Sequence, residues 1–261
     1  MAHQTERQPW QNPVRARLEA GHPVFGLTVT TTSLDSAVEA ASLGFDFLWI
    51  EMEHSPVTLE TLRNIVLATR GMPTVPIARV PVNELWTAKR VLDAGVCGVI
   101  FPFTTTPLLA QRAAEACHYP PAGGRGSGAG LASRSWPEPT GYQDSADANV
   151  LVVTVVEEAA ALECIDEIAA TPGVDVVFIG TSDLSFSLGL RGEQNHPVLD
   201  QAIAKIAGAV TRSGKYLGRP LRDPAKLDFY RAQGFSFFQA PTDLDFLAAG
   251  ARDYLHKASS K

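Results

Sequence analysis

The stretch that decides the fold comprises residues 45–56, FDFLWIEMEHSP. Its apolar segment, residues 47–50, is followed at once by Glu51, Glu53 and His54. Continuous apolar runs are typical of strands in parallel sheets, because helices cover both faces of such sheets. The pattern therefore predicts a buried strand that opens onto a polar site at its carboxyl end. Solvated acids that merely end a strand would give the same pattern, so the rest of the chain has to separate the two interpretations.

The same unit, a short apolar strand followed by an amphipathic helix, recurs along the chain. We predict eight strands, at residues 24–30, 45–53, 75–80, 98–103, 150–156, 174–179, 216–219 and 235–240. We predict a helix after each strand, at residues 33–43, 58–69, 84–92, 107–117, 159–170, 198–212, 224–233 and 244–256, and one before the first strand, at residues 12–20. Such repetition favours a single (β/α)8 TIM barrel over residues 1–261, with residues 1–11 poorly ordered. A doubly wound sheet is the alternative.

The composition argues against several classes of protein. The chain has a net charge of −6 and no basic run, so we expect no nucleic-acid partner. Its apolar runs are too short to cross a membrane, and its first residues lack the hydrophobic region of a signal peptide. Its three cysteines form no CxxC pair, which favours reduced thiols and a cytoplasmic location.

A barrel of this kind places its chemistry at the carboxyl ends of its strands. The polar residues expected at those ends are Thr28, Thr30, Glu51, Glu53, His54, Arg79, Glu157, Glu158, Thr181, Ser182, Asp183 and Arg219. Several carboxylates in one cleft repel each other and therefore need a cation. Oxygen ligands without a cysteine or histidine cluster favour Mg²⁺ or Mn²⁺, with Co²⁺ plausible, over structural zinc. The sequence thus predicts a divalent-metal site at the barrel mouth.

Six segments occur in order at barrel spacing: FDFLWIEMEHSP, IARVPVNE, RVLDAG, YPPAGGRGSG, VVEE, and FIGTSDLSFSLG followed by HP. Together they resemble the metal-dependent class II pyruvate aldolases of the HpcH/HpaI family, which includes 2,4-dihydroxyhept-2-ene-1,7-dioate and 2-keto-3-deoxy-sugar-acid aldolases. The resemblance covers nearly the whole chain after Gly21. It implies reversible retro-aldol cleavage of a 4-hydroxy-2-keto acid to an aldehyde and pyruvate, or a close 2-keto acid such as hydroxypyruvate.

The resemblance also implies catalytic and metal-binding roles for matching residues. The general base matches His54, and its partner acid in a catalytic dyad matches Asp93. The arginine that holds the keto oxygen of the substrate matches Arg79. The two metal-binding carboxylates match Glu157 and Asp183.

The substrate carboxylate is expected at the helix start formed by Gly180, Thr181 and Ser182, again by resemblance. The acids that lie next to the metal ligands without binding the metal themselves match Glu51 and Glu53.

Three positions depart from the family pattern. Glu51 stands where the family usually has Asp, and Thr28 stands where a large aromatic residue is common. Arg219 stands at the end of strand seven, where an aliphatic residue is usual. If Arg219 faces the cleft, it needs an anionic partner, which we expect to be either Glu51 or a polar group on the incoming aldehyde.

Cleavage of the carbon–carbon bond leaves an enolate, and aldolases stabilise it in one of two ways. They use either a Schiff base on a lysine or a divalent metal. None of the six lysines is predicted to end a barrel strand, which favours the metal. Oxaloacetate decarboxylation, or another carbon–carbon lyase reaction through a pyruvate enolate, is the alternative on the same scaffold. From a different class, the chain could be a catalytically silent barrel that acts as a binding module, but the matching residues are intact.

The resemblance further implies a homo-oligomer, commonly a hexamer. In that assembly, the connection at residues 119–148 would help to complete the site of a neighbouring subunit, with Arg125 near its mouth.

Overall fold

The structure is a computed structural model that describes residues 10–136 and 141–259. Eight parallel strands pair in chain order, and the last closes on the first to form a complete barrel. The strands are β1 Val24–Val29, β2 Phe47–Glu51, β3 Val75–Arg79, β4 Gly98–Phe101, β5 Leu151–Val156, β6 Val176–Ile179, β7 Tyr216–Pro220 and β8 Phe235–Thr242. The predicted (β/α)8 barrel is confirmed. The expectation of disorder at the amino terminus concerns residues that are mostly outside the described range.

Helices cover the outside of the barrel and connect its strands. They are α1 Pro13–Glu19, α2 Leu34–Ser42, α3 Leu59–Ala68, α4 Leu85–Ala94, α5 Pro107–Cys117, α6 Tyr142–Asn149, α7 Ile165–Ala170, α8 Thr181–Ser187, α9 Pro197–Ser213, α10 Leu227–Ala232 and α11 Asp243–Ser259. Helix α6 was not predicted from the sequence, and only the start of α8 was expected, by resemblance. The helix predicted at 159–170 is divided into a 3₁₀ turn, Ala159–Glu163, and α7.

Local side chains start the helices where the sequence predicts them. Asn12, Ser33 and Thr58 each accept a hydrogen bond from a backbone N–H in the first turn of their helix. Such caps satisfy donors that have no partner within the helix. At the carboxyl end of α4, Gly95 adopts a backbone φ of 106°, a conformation that glycine reaches without strain.

The barrel interior is filled by side chains from alternate strand positions. The rings of Phe47 and Phe237 stack with centroids 4.6 Å apart, and those of Trp49 and Phe178 lie 5.0 Å apart. Gly26 makes room for this packing, because a Cβ atom there would overlap the ring of Phe47. The interior is therefore a packed core, and space for chemistry remains at the ends of the strands.

The long connection between α5 and β5 lies at the amino end of the barrel. Tyr119, Trp136 and Tyr142 from this connection are buried and join the cluster that fills the barrel interior. Trp136 packs edge-on against Trp10, with centroids 5.1 Å apart. The connection thus closes the amino end of the barrel, which is opposite the mouth.

The last helix, α11, is exposed along most of its length. Its large apolar residues are between 44% and 72% exposed, namely Leu244, Phe246, Leu247, Tyr254 and Leu255. Within the described ranges, none of the helices combines the length and apolar character needed to cross a membrane.

Candidate active site

Glu51, the last residue of β2, organises the polar end of that strand. Its Oε2 atom accepts hydrogen bonds from Arg79 Nε at 2.6 Å and from Trp49 Nε1 at 3.2 Å. Its Oε1 atom accepts the backbone N–H groups of Glu53 at 2.8 Å and His54 at 3.0 Å. The side chain is only 2% exposed, so all four bonds form away from bulk water. Glu51 therefore fixes the turn that presents Glu53 and His54.

Arg79, the last residue of β3, places a positive charge in the mouth. Besides its bond to Glu51, its Nη1 atom lies 3.1 Å from Glu53 Oε2, an ion pair without hydrogen-bond geometry. Its Cζ atom lies 5.7 Å from the centroid of the Trp49 ring. Two carboxylates and an indole thus hold the guanidinium in place, and its Nη2 atom makes no hydrogen bond to a described residue.

Glu157 follows β5 and is 2% exposed. Its Oε1 atom accepts the backbone N–H of Phe103 at 2.8 Å. Phe103 has φ = 50°, a conformation that costs energy for a residue with a side chain and that often marks functional sites. The other carboxylate oxygen points toward Gly180, the residue that precedes α8.

The acids at the mouth carry more negative charge than the surroundings neutralise. Burial raises the pKa of Glu157 to about 7, and the charges of Glu53 and Asp183 add to this effect. Burial also raises the pKa of Glu53, where Arg79 and His54 act in the opposite direction. The charges of Glu53 and Asp183 therefore add to the effect of burial in disfavouring the ionised form of Glu157. A cation bound beside Glu157 would offset this effect.

Comparison with known proteins gives the family. Residues 25–249 match the family model described as HpcH/HpaI aldolase/citrate lyase. The chain belongs to the HpcH/HpaI family. It is 36% identical to the hydroxypyruvate/pyruvate aldolase of Paraburkholderia phytofirmans, over 95% of this chain and 98% of that protein. It is 33% identical to the 4-hydroxy-2-oxo-heptane-1,7-dioate aldolase of Escherichia coli, over 92% of each.

A solved structure agrees with this assignment. The crystal structure of an HpcH/HpaI aldolase/citrate lyase family protein from Burkholderia cenocepacia aligns with a TM-score of 0.87 and 32% identity, covering 95% of this chain and 100% of that one. The similarity thus extends over the complete barrel of this HpcH/HpaI family member.

The donor set of this family member fits a divalent cation bound through few protein ligands. Within residues 10–136 and 141–259, no three His, Cys, Asp or Glu side chains converge closely enough to enclose a metal ion. Mg²⁺ commonly binds one or two carboxylates and completes its shell with water and substrate oxygens. Glu157 and Asp183 can serve as such a pair, because a bound cation would offset the burial that raises the pKa of Glu157.

The expected dyad of His54 and Asp93 is not brought together within one chain, which corrects a simple interpretation of the resemblance. His54 follows β2 at the mouth, is 61% exposed, and has its Nε2 atom 3.7 Å from Glu53 Oε1. Asp93 lies in the last turn of α4, which runs from the carboxyl end of β3 to the amino end of β4. There it pairs with Arg125 at 3.4 Å. The two residues therefore lie at opposite ends of the barrel.

Arg125 is likewise remote from the mouth of its own chain. Its side chain is fully buried between the rings of Tyr119 and Tyr142, with Cζ 4.7 Å and 5.8 Å from their centroids. It also donates a hydrogen bond to the Tyr142 hydroxyl at 3.1 Å. Any contribution of Asp93 or Arg125 to a mouth must therefore be to that of another copy.

Arg219 does not face the mouth, contrary to both expectations for it, a pairing with Glu51 or contact with the incoming aldehyde. Successive strand residues point to opposite faces. Gly218 packs against interior rings, so Arg219 points outward. Its Cζ atom lies 3.6 Å from the centroid of the Tyr230 ring on α10. Glu51 is bonded to Arg79 instead. We therefore assign Arg219 no contact with the acceptor aldehyde.

Sequence reasoning missed two groups of the site. Trp49 donates its indole N–H to Glu51, and their spacing of two residues along a strand could have shown that both face inward. The Phe103 N–H that bonds Glu157 could not have been found, because a backbone group leaves no signal in the sequence.

Thr30, expected at the mouth, donates its hydroxyl to Asp243 at 2.7 Å and so joins β1 to α11.

Proposed function

We propose that this chain is a divalent-metal-dependent aldolase. It reversibly cleaves a 4-hydroxy-2-keto acid into an aldehyde and pyruvate, or a close 2-keto acid such as hydroxypyruvate. The observation that carries the proposal is the placement of the buried Glu157, which accepts the Phe103 N–H and lies against Gly180 at the start of α8, the helix that carries Asp183. Aldolase names among relatives that align over nine-tenths of their length support the reaction class.

Glu157 and Asp183 would hold the cation, Mg²⁺ or Mn²⁺, with Co²⁺ plausible. The bound ion would supply Lewis acidity toward the keto oxygen and the carboxylate of the 2-keto acid. Gly180, Thr181 and Ser182, beside Glu157, would contact that carboxylate.

Arg79 would add positive charge at the keto oxygen, where negative charge develops as the enolate forms. Because Glu51 and Glu53 already hold the guanidinium, little reorganisation is needed during the reaction. The free Nη2 atom is the group available to a substrate oxygen.

His54 would move the proton. In the cleavage direction it accepts the proton of the 4-hydroxyl group as the C3–C4 bond breaks. The electron pair of that bond then becomes the enolate of the 2-keto acid, and the aldehyde leaves. The exposed imidazole of His54 lies beside Glu53 and can reach a substrate above the mouth.

Asp93 would orient His54 only across an interface between copies. In one chain the two lie at opposite ends of the barrel, so the dyad that the family resemblance implies requires the amino end of one barrel to meet the mouth of another. We therefore propose a homo-oligomer, with a hexamer as the expected size. The exposed apolar face of α11 supports association, since monomers rarely expose so many large apolar side chains together.

The decisive experiment measures aldol addition by the native protein. Pyruvate and hydroxypyruvate are offered with a panel of aldehydes in the presence of Mg²⁺, Mn²⁺ or Co²⁺, and 4-hydroxy-2-keto acid products are quantified. We expect metal-dependent product with at least one aldehyde. Absence of any product, together with absence of metal-dependent proton exchange at the pyruvate methyl group, would contradict the proposal.

A further inference from the structure

A second cavity lies on the outer side of the barrel wall. It occupies about 1170 Å³ between α9 and α10, a volume ample for a small organic molecule. Ile203, Ala207 and Thr211 of α9 form one wall, and Tyr230 of α10 forms part of the other. The end of β7, including Arg219, lies at its base.

Arg219 brings a positive charge to this cavity without an anionic partner. Its Nε atom is buried and makes no hydrogen bond, and no carboxylate of the described chain lies within 4 Å of its guanidinium. Burial lowers its pKa, yet an arginine does not give up its proton. By contrast, the guanidinium groups of Arg79 and Arg125 are both paired with carboxylates. Arg219 is thus held charged in a partly dehydrated position without a direct ion pair, and the charge of Asp200 on the cavity wall only partly offsets the effect of burial.

Aromatic rings orient the guanidinium. The Cζ atom of Arg219 lies 3.6 Å from the centroid of Tyr230 and 5.1 Å from that of Phe235. The guanidinium therefore lies over the Tyr230 ring in the cavity wall, and its terminal nitrogens make no hydrogen bond to a described residue. A stacked guanidinium presents a rigid pair of donors that matches the oxygens of a carboxylate or a phosphate.

Other charged groups on the cavity walls favour an anion. Arg222 and Lys226 line the cavity with Arg219. Asp200 and Asp223 also line it, so three positive groups face two negative ones. The positive groups therefore outnumber the negative ones.

We propose that this cavity is a binding site for a small organic anion, whose carboxylate or phosphate group is held by Arg219 stacked on Tyr230. Its anchoring arginine lies apart from the proposed metal ligands, because Arg219 and Glu157 face opposite sides of the barrel wall, although Thr181 and Ser182 border both sites. Thr181 and Ser182 line the cavity and follow directly on Gly180, so α8 connects the two sites.

The test uses the full-length protein in its native assembly and titrates it calorimetrically with inorganic phosphate and, separately, with succinate. The two arms distinguish a phosphate ligand from a carboxylate ligand. Both are repeated in Arg79→Gln, in which anion binding at the mouth is weakened. We expect at least one anion to bind the wild type and Arg79→Gln alike, and the dissociation constant to rise about tenfold or more in Arg219→Gln, as for a lost charge-assisted bond.

Two further variants complete the design. Arg231→Gln makes the same change on α10 at an exposed residue that does not line the cavity, and it should bind as the wild type does. Arg219→Lys keeps the charge but loses the planar fork, and it should bind less tightly than the wild type even if Arg219→Gln fails to fold. The proposal is overturned if neither anion binds, if the Arg219 variants bind as tightly as the wild type, or if binding is lost in Arg79→Gln. Cross-linking that shows a second copy seated between α9 and α10 would also overturn it.

Discussion

Gly180 and Glu157 are in such close contact that a Cβ atom on Gly180 would lie 2.6 Å from the carboxylate oxygen Oε2 of Glu157. The end of β6 and the residue after β5 therefore approach each other only because position 180 has no side chain. This contact places one proposed metal ligand beside the start of α8, where the other, Asp183, is found.

The first prediction follows from this contact. Gly180→Ala should displace the Glu157 carboxylate and weaken Mn²⁺ binding, measured by calorimetry, by at least about tenfold, because a misplaced ligand loses most of its coordination energy. The backbone at position 180 has φ = −77°, so alanine itself is not strained there. Gly250→Ala, on exposed α11 with no atom near the added carbon, is the control. Unchanged Mn²⁺ affinity in Gly180→Ala would show that Glu157 is not a ligand.

The second prediction concerns the metal and the reaction. EDTA should abolish pyruvate release from a 4-hydroxy-2-keto acid, and Glu157→Gln or Asp183→Asn should cause the same loss, since each removes a charged ligand. Glu158→Gln, which alters the adjacent acid, should retain activity. Borohydride treatment with pyruvate should label no lysine, and a covalently modified lysine detected by mass spectrometry would refute the metal mechanism.

The third prediction is a pH dependence of stability in the metal-free protein. The pKa of Glu157 is raised from 4.5 to about 7, so between these values the folded state binds more protons than the unfolded state. Stability should therefore fall as pH rises through this range, by up to about 3 kcal/mol from this one group. Glu157→Gln cannot ionise and should lose most of that decline in urea unfolding. Equal pH profiles for the wild type and the variant would mean that Glu157 is not perturbed.

The same shift determines how pH affects metal binding. A carboxyl group must lose its proton to bind a cation, so Mn²⁺ affinity should weaken as pH falls below about 7 and should level off above it.

The fourth prediction tests the proposed dyad between copies. His54→Ala should reduce turnover by about 10²–10⁴-fold while Mn²⁺ still binds, because His54 is an acid–base group and not a ligand. Asp93→Asn should have a similar effect on turnover.

Mixing the two inactive variants under conditions of subunit exchange should restore activity. In a random 1:1 mixture about a quarter of the sites would combine an intact His54 with an intact Asp93 from the adjoining copy, as expected for a symmetric assembly. If mass spectrometry demonstrates subunit exchange but the mixture stays as inactive as its components, the proposal of a dyad formed between copies is wrong.

The fifth prediction concerns α11. Leu247→Glu combined with Leu255→Glu places charges on its apolar face and should reduce the particle mass in light scattering, since an interface that excludes water disfavours unpaired charges. Ala249→Glu, on the opposite side of the helix from Leu247, should leave the mass unchanged. A wild-type protein that is monomeric and fully active would remove the proposed assembly altogether.

Much of the fold and part of the site follow from the sequence alone. The apolar run of β2 and its polar end, Glu51 to His54, predict a parallel strand with a functional carboxyl end because burial on both faces leaves no position for charges within the strand. Recurrence of that pattern determines a barrel, and the barrel places Glu51, Arg79 and Glu157 at one mouth. The repeated pattern of apolar and polar residues carries this information, because the end of each strand is marked by residues that are neighbours in the chain.

Only the tertiary structure decided what each charged group faces. The side chain of Arg219 points outward to Tyr230. The face to which a strand residue points depends on register, so an error of one residue in β7 reverses the expected face. Asp93 and His54 were separated because α4 runs the full height of the barrel between them. The N–H of Phe103 and the bare Cα of Gly180 place Glu157 through backbone geometry. Contacts of this kind join residues distant along the chain, and their energies depend on three-dimensional distance, which no local pattern of residue types encodes.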